Sequence, residues 1–245
     1  MFTETQREFG MSASAFQVAW ERLDLPDMPP ELLVMPAGVE EAQRRAVVHA
    51  ALEELSGIDA DGLEHALRVL ARPSRSVDAR LPMVRALAAT DDEHAVIAVL
   101  SGDRVRIAEI SPYDMCRAAV GMLPAASSGP GSSVCVPSDV VATAASVAGT
   151  SESVLCSELI RLGVRTEDSE QFALMVKDRH SSGQFGVTVL GRNGIRRRGD
   201  HVVSYFDTAH GRYLIKELRG WLTVAPADFR VLVGQVNRLL SETAQ

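Results

Sequence analysis

The sequence is poor in aromatic residues, cysteine and long apolar runs, and each shortage excludes a class of protein. Aromatic residues make up 5% of the 245 residues, so alanine, valine and leucine must fill most of the core. Cys116, Cys135 and Cys156 are far apart and form no CxxC motif, which argues against a disulfide framework or a zinc site. No apolar run approaches the roughly 20 residues of a membrane-spanning helix. The polar first residues predict no secretory leader. We therefore expect a cytoplasmic protein without a metal site and without membrane association.

The net charge of −7 is unevenly distributed along the chain. Residues 1–70 carry 13 acids and 5 bases, whereas residues 177–219 carry 9 bases and 4 acids. The densest basic cluster comprises Arg192, Arg196, Arg197 and Arg198 and is flanked by glycines. Such a cluster suits nucleic-acid phosphates, but the chain is acidic overall and no nucleic-acid-binding motif accompanies the arginines. A solvated hairpin loop is the simpler interpretation. A regulatory or nucleic-acid-binding module that uses Arg192–Arg198 remains the alternative.

Hydrophobic spacing predicts two successive runs of helices followed by strands. The first run has a helix through Phe16 and Trp20, a strand at 31–35, helices at 40–55 and 61–72, strands at 77–83, 95–100 and 105–108, and a helix that begins at Pro112. A Ser/Gly/Pro-rich segment at 125–133 is typical of a flexible linker. The second run has a strand at 134–136, helices at 138–148, 151–162 and 168–179, strands at 185–190, 201–206 and 212–218, and a helix that begins at Pro226.

The two runs are related by an internal repeat. A shift of 107 residues aligns Asp61, Ala66, Leu67, Val69 and Arg72 with Asp168, Ala173, Leu174, Val176 and Arg179, and it aligns His94 with His201. We therefore predict one domain over 1–245, built from duplicated halves at about 12–124 and 125–245. Each half alone would leave an apolar sheet face unburied. The predicted fold class is α/β (α+β), with a central antiparallel β-sheet around a pseudo-twofold axis, flanked by helical bundles.

No recognisable catalytic apparatus accompanies this pattern. The chain has no GxxxxGK[ST] phosphate loop, no GxGxxG, no GxSxG elbow and no HExxH. His180 adjoins Ser181 and Ser182, but the segment is predicted as a turn between a helix and a strand. We therefore predict no catalytic residue and no cofactor, which favours binding over catalysis. A hydrolase or transferase whose site is assembled from distant residues is kept as a third hypothesis.

Several segments, taken in order, resemble the EspG family, cytosolic chaperones of the type VII (ESX) secretion systems of actinobacteria. They are residues 16–23, 30–35 with Glu40 and Glu41, 76–80, 183–187, 206–213 and 221–228. The resemblance implies a pseudo-twofold fold with a central antiparallel sheet and helical bundles. It also implies a chaperone, not an enzyme, that binds a PE–PPE heterodimer at the tip of the PPE subunit, keeps the pair soluble and delivers it for secretion. No cofactor is implied.

The resemblance also suggests where a client docks. In the family the client contacts the sheet and the C-terminal helices, with help from the loop between the second and third strands, which we assign here to 90–94. The predicted contact residues are Asp92, Glu93, Gln184, Arg212, Lys216 and Phe229. A homo-oligomer formed through the same face is an open possibility when no client is present, since an apolar patch seeks cover. No sequence feature identifies the client or the ESX system.

Overall fold

The structure, a computed structural model, describes residues 7–34 and 41–245. The helices are α1 Ala13–Arg22, α2 Glu41–Leu55, α3 Ala60–Ala71, α4 Met115–Val120, α5 Ser138–Ala148, α6 Glu152–Arg161, α7 Thr166–Val176 and α8 Phe229–Thr243, with a 3₁₀ turn at Pro30–Leu32. The strands are β1 Glu8–Ser12, β2 Arg75–Arg80, β3 Arg85–Thr90, β4 Ala95–Ser101, β5 Arg104–Ile110, β6 Val134–Pro137, β7 Ser181–Leu190, β8 Arg196–Arg198, β9 Val203–Thr208, β10 Gly211–Leu218 and β11 Trp221–Pro226.

All these strands join in one antiparallel sheet with the order β1-β5-β4-β3-β2-β7-β9-β10-β11-β6, and β8 pairs with β7 off this path. From either edge to the centre, the strands of each half follow the same order: the first strand of that half, then its last strand, and then the others in reverse down to the second. Each half places its first strand at the edge and its second strand at the centre, where Val77 of β2 lies opposite Val187 of β7. The fold is therefore the predicted central antiparallel sheet with pseudo-twofold halves. The exact residue boundaries of the halves, at 12–124 and 125–245, stay a prediction.

Side-chain alternation along the strands assigns the helices to the two faces of the sheet. On one face, α1 to α3 cover one end of the sheet, and their core includes Leu87 and Ala89 of β3. The same face carries α5 to α7 at the other end, over Phe206 and Tyr213. The opposite face is covered at its centre by α4 and α8, which pack on Val77, Phe185 and other residues of the central strands. The first face thus has a gap between its two helical groups.

Local chemistry explains where the first and last helices begin. The Oγ of Ser12 accepts a hydrogen bond from the amide of Ala15, 3.1 Å away, and caps α1. Asp228 does the same for α8 through the amide of Val231, at 2.8 Å. These caps follow directly on β1 and β11, so each strand leads straight into its helix.

Several predicted elements differ in the structure. The expected single strand at 77–83 ends at Arg80, because Leu81 to Val84 form a tight turn in which the amide of Leu81 donates to the carbonyl of Val84 at 3.0 Å. The alanine-rich β3 that follows has low strand propensity and was not predicted. The strands β1, β8 and β11 were missed as well. In place of a strand at 31–35 the described residues form the 3₁₀ turn, and Met35 lies outside them.

The alignment of His94 with His201 is wrong. His94 precedes β4, whereas His201 precedes β9, and the strand order makes β9 the counterpart of β3. The segment at 125–133 is also not a free linker. The amide of Gly129 donates to the carbonyl of Arg212 at 3.0 Å, and Gly129 lies against the ring of Tyr213 so closely that a Cβ there would overlap it. The segment is therefore part of the folded body.

Candidate functional site

The gap between the two helical groups exposes a strip of the central strands. Along 76–80 of β2 and 182–188 of β7, the residues that point to this face are polar or glycine, whereas Val77, Ala79, Phe185 and Val187 on the other face are apolar and buried under α4 and α8. The strip residues are Ser76, Asp78 and Arg80 on β2 and Ser182, Gln184, Gly186 and Thr188 on β7. Central strands with an apolar face toward a core and a polar face toward a gap are stable when that gap is open to water or to a partner.

On the side of the first half, the gap is largely filled by the chain itself. Glu31 of the 3₁₀ turn has a nearly buried side chain, and its carboxylate contacts Arg80 at 3.2 Å. From the other side, the β7–β8 hairpin folds over the strip, and Arg198 binds the carboxylate of Asp78. Arg196 of the same hairpin donates to the carbonyl of Ala71, at the end of α3, at 3.0 Å. These contacts tie the hairpin, which belongs to the second half, to the first half and leave a cleft of about 520 Å³ there.

On the side of the second half, the gap stays open as a cleft of about 860 Å³. Its floor is formed by β7 and β9, with Gln184, Ser204 and Phe206, and its walls include Arg80 and Arg179. A second cleft of about 900 Å³ lies between α5, α6 and α7 and shares Arg179 with the first. We call the two clefts together the docking cleft.

Exposed apolar side chains lie on the elements that form this cleft. Pro82, in the loop between β2 and β3, lines it, and the next residue, Met83, has 80% of its surface exposed. The helices α5, α6 and α7, between which the second cleft lies, carry further exposed apolar residues, Val147, Val154, Ile160 and Leu174. A floor of polar and apolar groups, with exposed apolar side chains on the neighbouring elements, combines hydrogen-bonding groups with area that gains from being covered.

The ionisable groups of the cleft are suited to binding and poorly suited to nucleophilic chemistry. Burial raises the pKa of Tyr205, which keeps the phenol protonated. Burial, followed by the charges of Glu170 and Glu152, raises the pKa of Cys156, and a thiol without thiolate character is a weak nucleophile. The described residues also contain no cluster of three or more His, Cys, Asp or Glu side chains arranged to hold a metal ion.

Of the predicted contact residues, the structure places Gln184 in the docking cleft. Arg212 is 2% exposed, and its guanidinium is engaged by both carboxylate oxygens of Asp207, at 2.7 and 3.0 Å, and by the carbonyl of Pro124. An arginine this buried, with Nε and Nη2 already engaged, has almost no surface to offer a partner. Its role in the structure is to join β9, β10 and the end of the first half.

The other four predicted residues lie elsewhere. Lys216 shares the alternation of Leu214 and so points to the face that α8 covers. Phe229 begins α8 and packs against α4, with the guanidinium of Arg117 over its ring at 5.4 Å. Asp92 and Glu93 lie in the loop between β3 and β4, at the opposite end of β2 from the cleft, where Asp92 pairs with Arg75 at 2.9 Å.

The assignment of the loop is therefore corrected by the strand count. The segment at 90–94 joins the third strand to the fourth, and the loop between the second and third strands is Leu81–Val84. Arg179, which lines the cleft, and Met83, which follows the lining residue Pro82, are not among the contact residues predicted from the sequence. The alternation of Val77, Ala79, Leu81 and Met83 concealed the loop, although Pro82, which lacks an amide donor, was a signal for it.

Two of the four arginines of the basic cluster are engaged by other residues of the protein. Arg196 and Arg198 are engaged by the Ala71 carbonyl and by Asp78, while Arg192 and Arg197 remain exposed. The contact with Asp78 raises the pKa of Arg198. The cluster forms a hairpin, as predicted, but the hairpin packs on the sheet. This leaves half of the four arginines for the alternative nucleic-acid site.

An open cleft whose floor mixes polar and apolar groups defines a protein-binding scaffold better than a small-molecule site, which would be enclosed and largely apolar. The model of the EspG family matches residues 12–238, and the chain belongs to this family. No match was found among curated proteins. None of the helices within residues 7–34 and 41–245 has the length and apolar character needed to cross a bilayer.

Among solved structures, the chain is similar to the Mycobacterium tuberculosis type VII secretion system chaperone EspG5, solved in complex with a PE25–PPE41 dimer. The TM-score is 0.74 at 17% sequence identity, and the alignment covers 98% of this chain and 97% of that chain. At this identity the likeness establishes the fold, with its large antiparallel sheet and flanking helices.

Proposed function

We propose that this protein is a type VII secretion chaperone that binds a PE–PPE heterodimer in the cytoplasm. It covers the tip of the PPE subunit with the docking cleft, keeps the pair soluble and delivers it for secretion. The role is binding and release, not catalysis. The observation that carries the proposal is the EspG-family match over 12–238, on a fold whose one-sided cleft remains open beside the C-terminal helices.

The physical argument rests on what the cleft presents. Exposed methionine and aliphatic side chains gain from covering an apolar tip, which would otherwise aggregate. The polar groups of the floor, such as Gln184 and Ser204, keep the free chaperone soluble and limit the affinity, so that the client can be released. Gln184 is the predicted contact residue that fits this surface, and Met83 joins it. Asp92, Glu93, Lys216 and Phe229 stay predictions, and they lie away from the cleft.

The test is co-expression with each PE–PPE pair encoded in the genome of origin, followed by size-exclusion chromatography with light scattering. We expect a stable complex of one copy of each chain with at least one pair. Elution of every soluble pair apart from the protein would contradict the proposal. The same measurement on the protein alone reports whether it forms homo-oligomers.

A pair of matched variants locates the site. Met83→Glu places a charge on the loop beside the cleft, and Tyr113→Glu does the same on the side of the molecule covered by α4 and α8. Both side chains are exposed, at 80% and 96%, so neither substitution disturbs the core. We expect Met83→Glu to weaken client binding at least about 10-fold and Tyr113→Glu to leave it unchanged. Equal affinities for both variants would move the site away from this cleft.

A further inference from the structure

The part of the docking cleft that lies on the sheet is lined by basic residues, although the protein as a whole is acidic. The chain has a net charge of −7, yet the residues that line this cleft include Arg80, Arg179 and His180 and no carboxylate. Opposite charges across an interface guide association and reject wrong partners. This part of the cleft is therefore electrostatically complementary to an acidic group, whereas the part among α5 to α7 also contains Glu152, Glu170 and Asp178.

The two arginines are not equivalent. Arg80 is neutralised by Glu31, whose carboxylate lies 3.2 Å away and is nearly buried. Arg179 is exposed and forms no ion pair or side-chain hydrogen bond with any residue in 7–34 or 41–245. Its guanidinium lies over the ring of Phe206, 5.6 Å from the ring centroid.

This stacking prepares Arg179 to bind. Phe206 is buried and stacks in turn on Tyr213, with 5.4 Å between the ring centroids, so the platform under the guanidinium is fixed by the core. A guanidinium held by its face keeps its N–H edges free, and these edges match a carboxylate in a bidentate pair. Because the stack limits the freedom of the side chain, less conformational entropy is lost when the pair forms.

The position of Arg179 adds to this argument. It lies between α7 and β7, where the cleft on the sheet meets the cleft among the C-terminal helices, and it lines both. A partner that contacts both surfaces must pass over this side chain. Arg72, which the repeat aligns with Arg179, lies between α3 and β2 but lines neither cleft.

We propose that Arg179 binds a carboxylate on the tip of the PPE subunit and thereby selects which PE–PPE pairs the chaperone accepts. The inference rests on the proposed function and deepens it. It assigns the partner an acidic residue within its apolar tip, and it assigns to Phe206 the task of holding the guanidinium in the binding orientation.

The experiment measures the affinity of the purified protein for the PE–PPE pair that co-elutes with it, at low and high salt. Arg179→Glu is expected to weaken binding at least about 10-fold. Arg179→Lys, which keeps the charge but loses the planar fork, is expected to fall between the wild type and Arg179→Glu. Arg72→Glu makes the same change in net charge and is expected to bind like the wild type. Thermal unfolding of each variant verifies that the fold is intact.

The outcomes separate the two proposals. If the wild-type protein binds no pair, the proposed function fails and this inference fails with it. If the wild type binds and Arg179→Glu binds equally well, the inference alone is overturned. Equal losses in Arg179→Glu and Arg72→Glu also overturn it, because they would reflect net charge only. Recovery of Arg179→Glu binding by an acid-to-lysine change on the PPE tip would support a direct pair.

Discussion

Arg198 and Asp78 form a bidentate ion pair at the centre of the sheet. The guanidinium donates to both carboxylate oxygens, with Nη2 to Oδ1 at 2.9 Å, and the residues are 120 positions apart in the chain. Asp78 is 2% exposed, whereas the side chain of Arg198 is 47% exposed. The pair fastens the β7–β8 hairpin of the second half onto a central strand of the first, and so closes one side of the gap.

We expect Arg198→Ala to lower the free energy of unfolding, because it leaves the buried carboxylate of Asp78 without its cation. Removing one partner of a fully buried pair costs about 3–5 kcal/mol, and the exposure of Arg198 reduces this to about 2–3 kcal/mol here. Urea denaturation measures the loss. Arg197→Ala, on the same hairpin but exposed, is the control and should stay within about 0.5 kcal/mol of the wild type. Equal stabilities for the two variants would contradict the role of the pair.

Gly186 leaves room for this ion pair. A Cβ there would overlap the guanidinium of Arg198 and lie 2.8 Å from Oδ2 of Asp78. Gly186→Ala is therefore expected to cost about 1–3 kcal/mol, since the carboxylate is buried and has little freedom to move. In the Arg198→Ala background the same substitution should cost less, because the guanidinium is gone. A double-mutant cycle by urea denaturation measures this coupling, and strictly additive losses would disprove it.

The sequence indicated the sheet and the helices through hydrophobic spacing, and the repeat indicated the pseudo-twofold arrangement. It could not indicate that the gap is filled on the side of the first half and open on the side of the second. That difference depends on contacts between distant residues, such as Glu31 with Arg80 and Arg198 with Asp78. It also misplaced Arg212, since an arginine in a strand carries no local sign that Asp207 will enclose it. Edge strand β1 was missed although Phe9 and Met11 alternate with polar residues and glycine, because an alternation over five residues is too short to distinguish a strand from a loop.

The carboxylate of Glu54 makes the stability of the fold depend on pH. Burial acts to raise its pKa, but hydrogen bonds from the amide and hydroxyl of Ser12, together with Arg104, outweigh burial and hold the pKa below its usual range. A depressed carboxyl pKa stabilises the fold above the unfolded-state pKa, about 4.3, and the benefit is lost as pH falls through the folded-state pKa. Glu54→Gln should therefore melt below the wild type at neutral pH, with a gap that narrows below about pH 4.

Melting temperatures across this pH range test the prediction. Glu217→Gln, at an exposed position of β10 without an ion pair among the described residues, is the matched control. It should leave the profile unchanged. A gap between Glu54→Gln and the wild type that stays constant down to the lowest pH would show that the charge of Glu54 does not contribute.

Two glycines are expected to respond to alanine in opposite directions. Gly129 lies against the buried ring of Tyr213, and an added Cβ would lie 2.5 Å from its hydroxyl oxygen. Gly129→Ala should therefore destabilise the protein by about 1–3 kcal/mol. Gly234, inside α8, has no atom within 4 Å of an added Cβ. Gly234→Ala should stabilise by about 0.5–1 kcal/mol through helix propensity. Thermal and urea denaturation compare the two, and a shift of the same sign in both would refute the contact with Tyr213.

The three cysteines should differ in reactivity because they differ in burial. Cys116 is 2% exposed, and burial raises its pKa to about 11, so neither access nor thiolate is available in the native state. Cys135 lies exposed on the edge strand β6, and Cys156 is half-buried with a raised pKa. A disulfide reagent should therefore label Cys135 first, Cys156 more slowly and Cys116 only on unfolding. Cys135→Ser should remove the fastest phase. Labelling of Cys116 in the native protein would mean that α4 separates from the sheet more readily than its buried packing allows, and with it the support beneath the central strands.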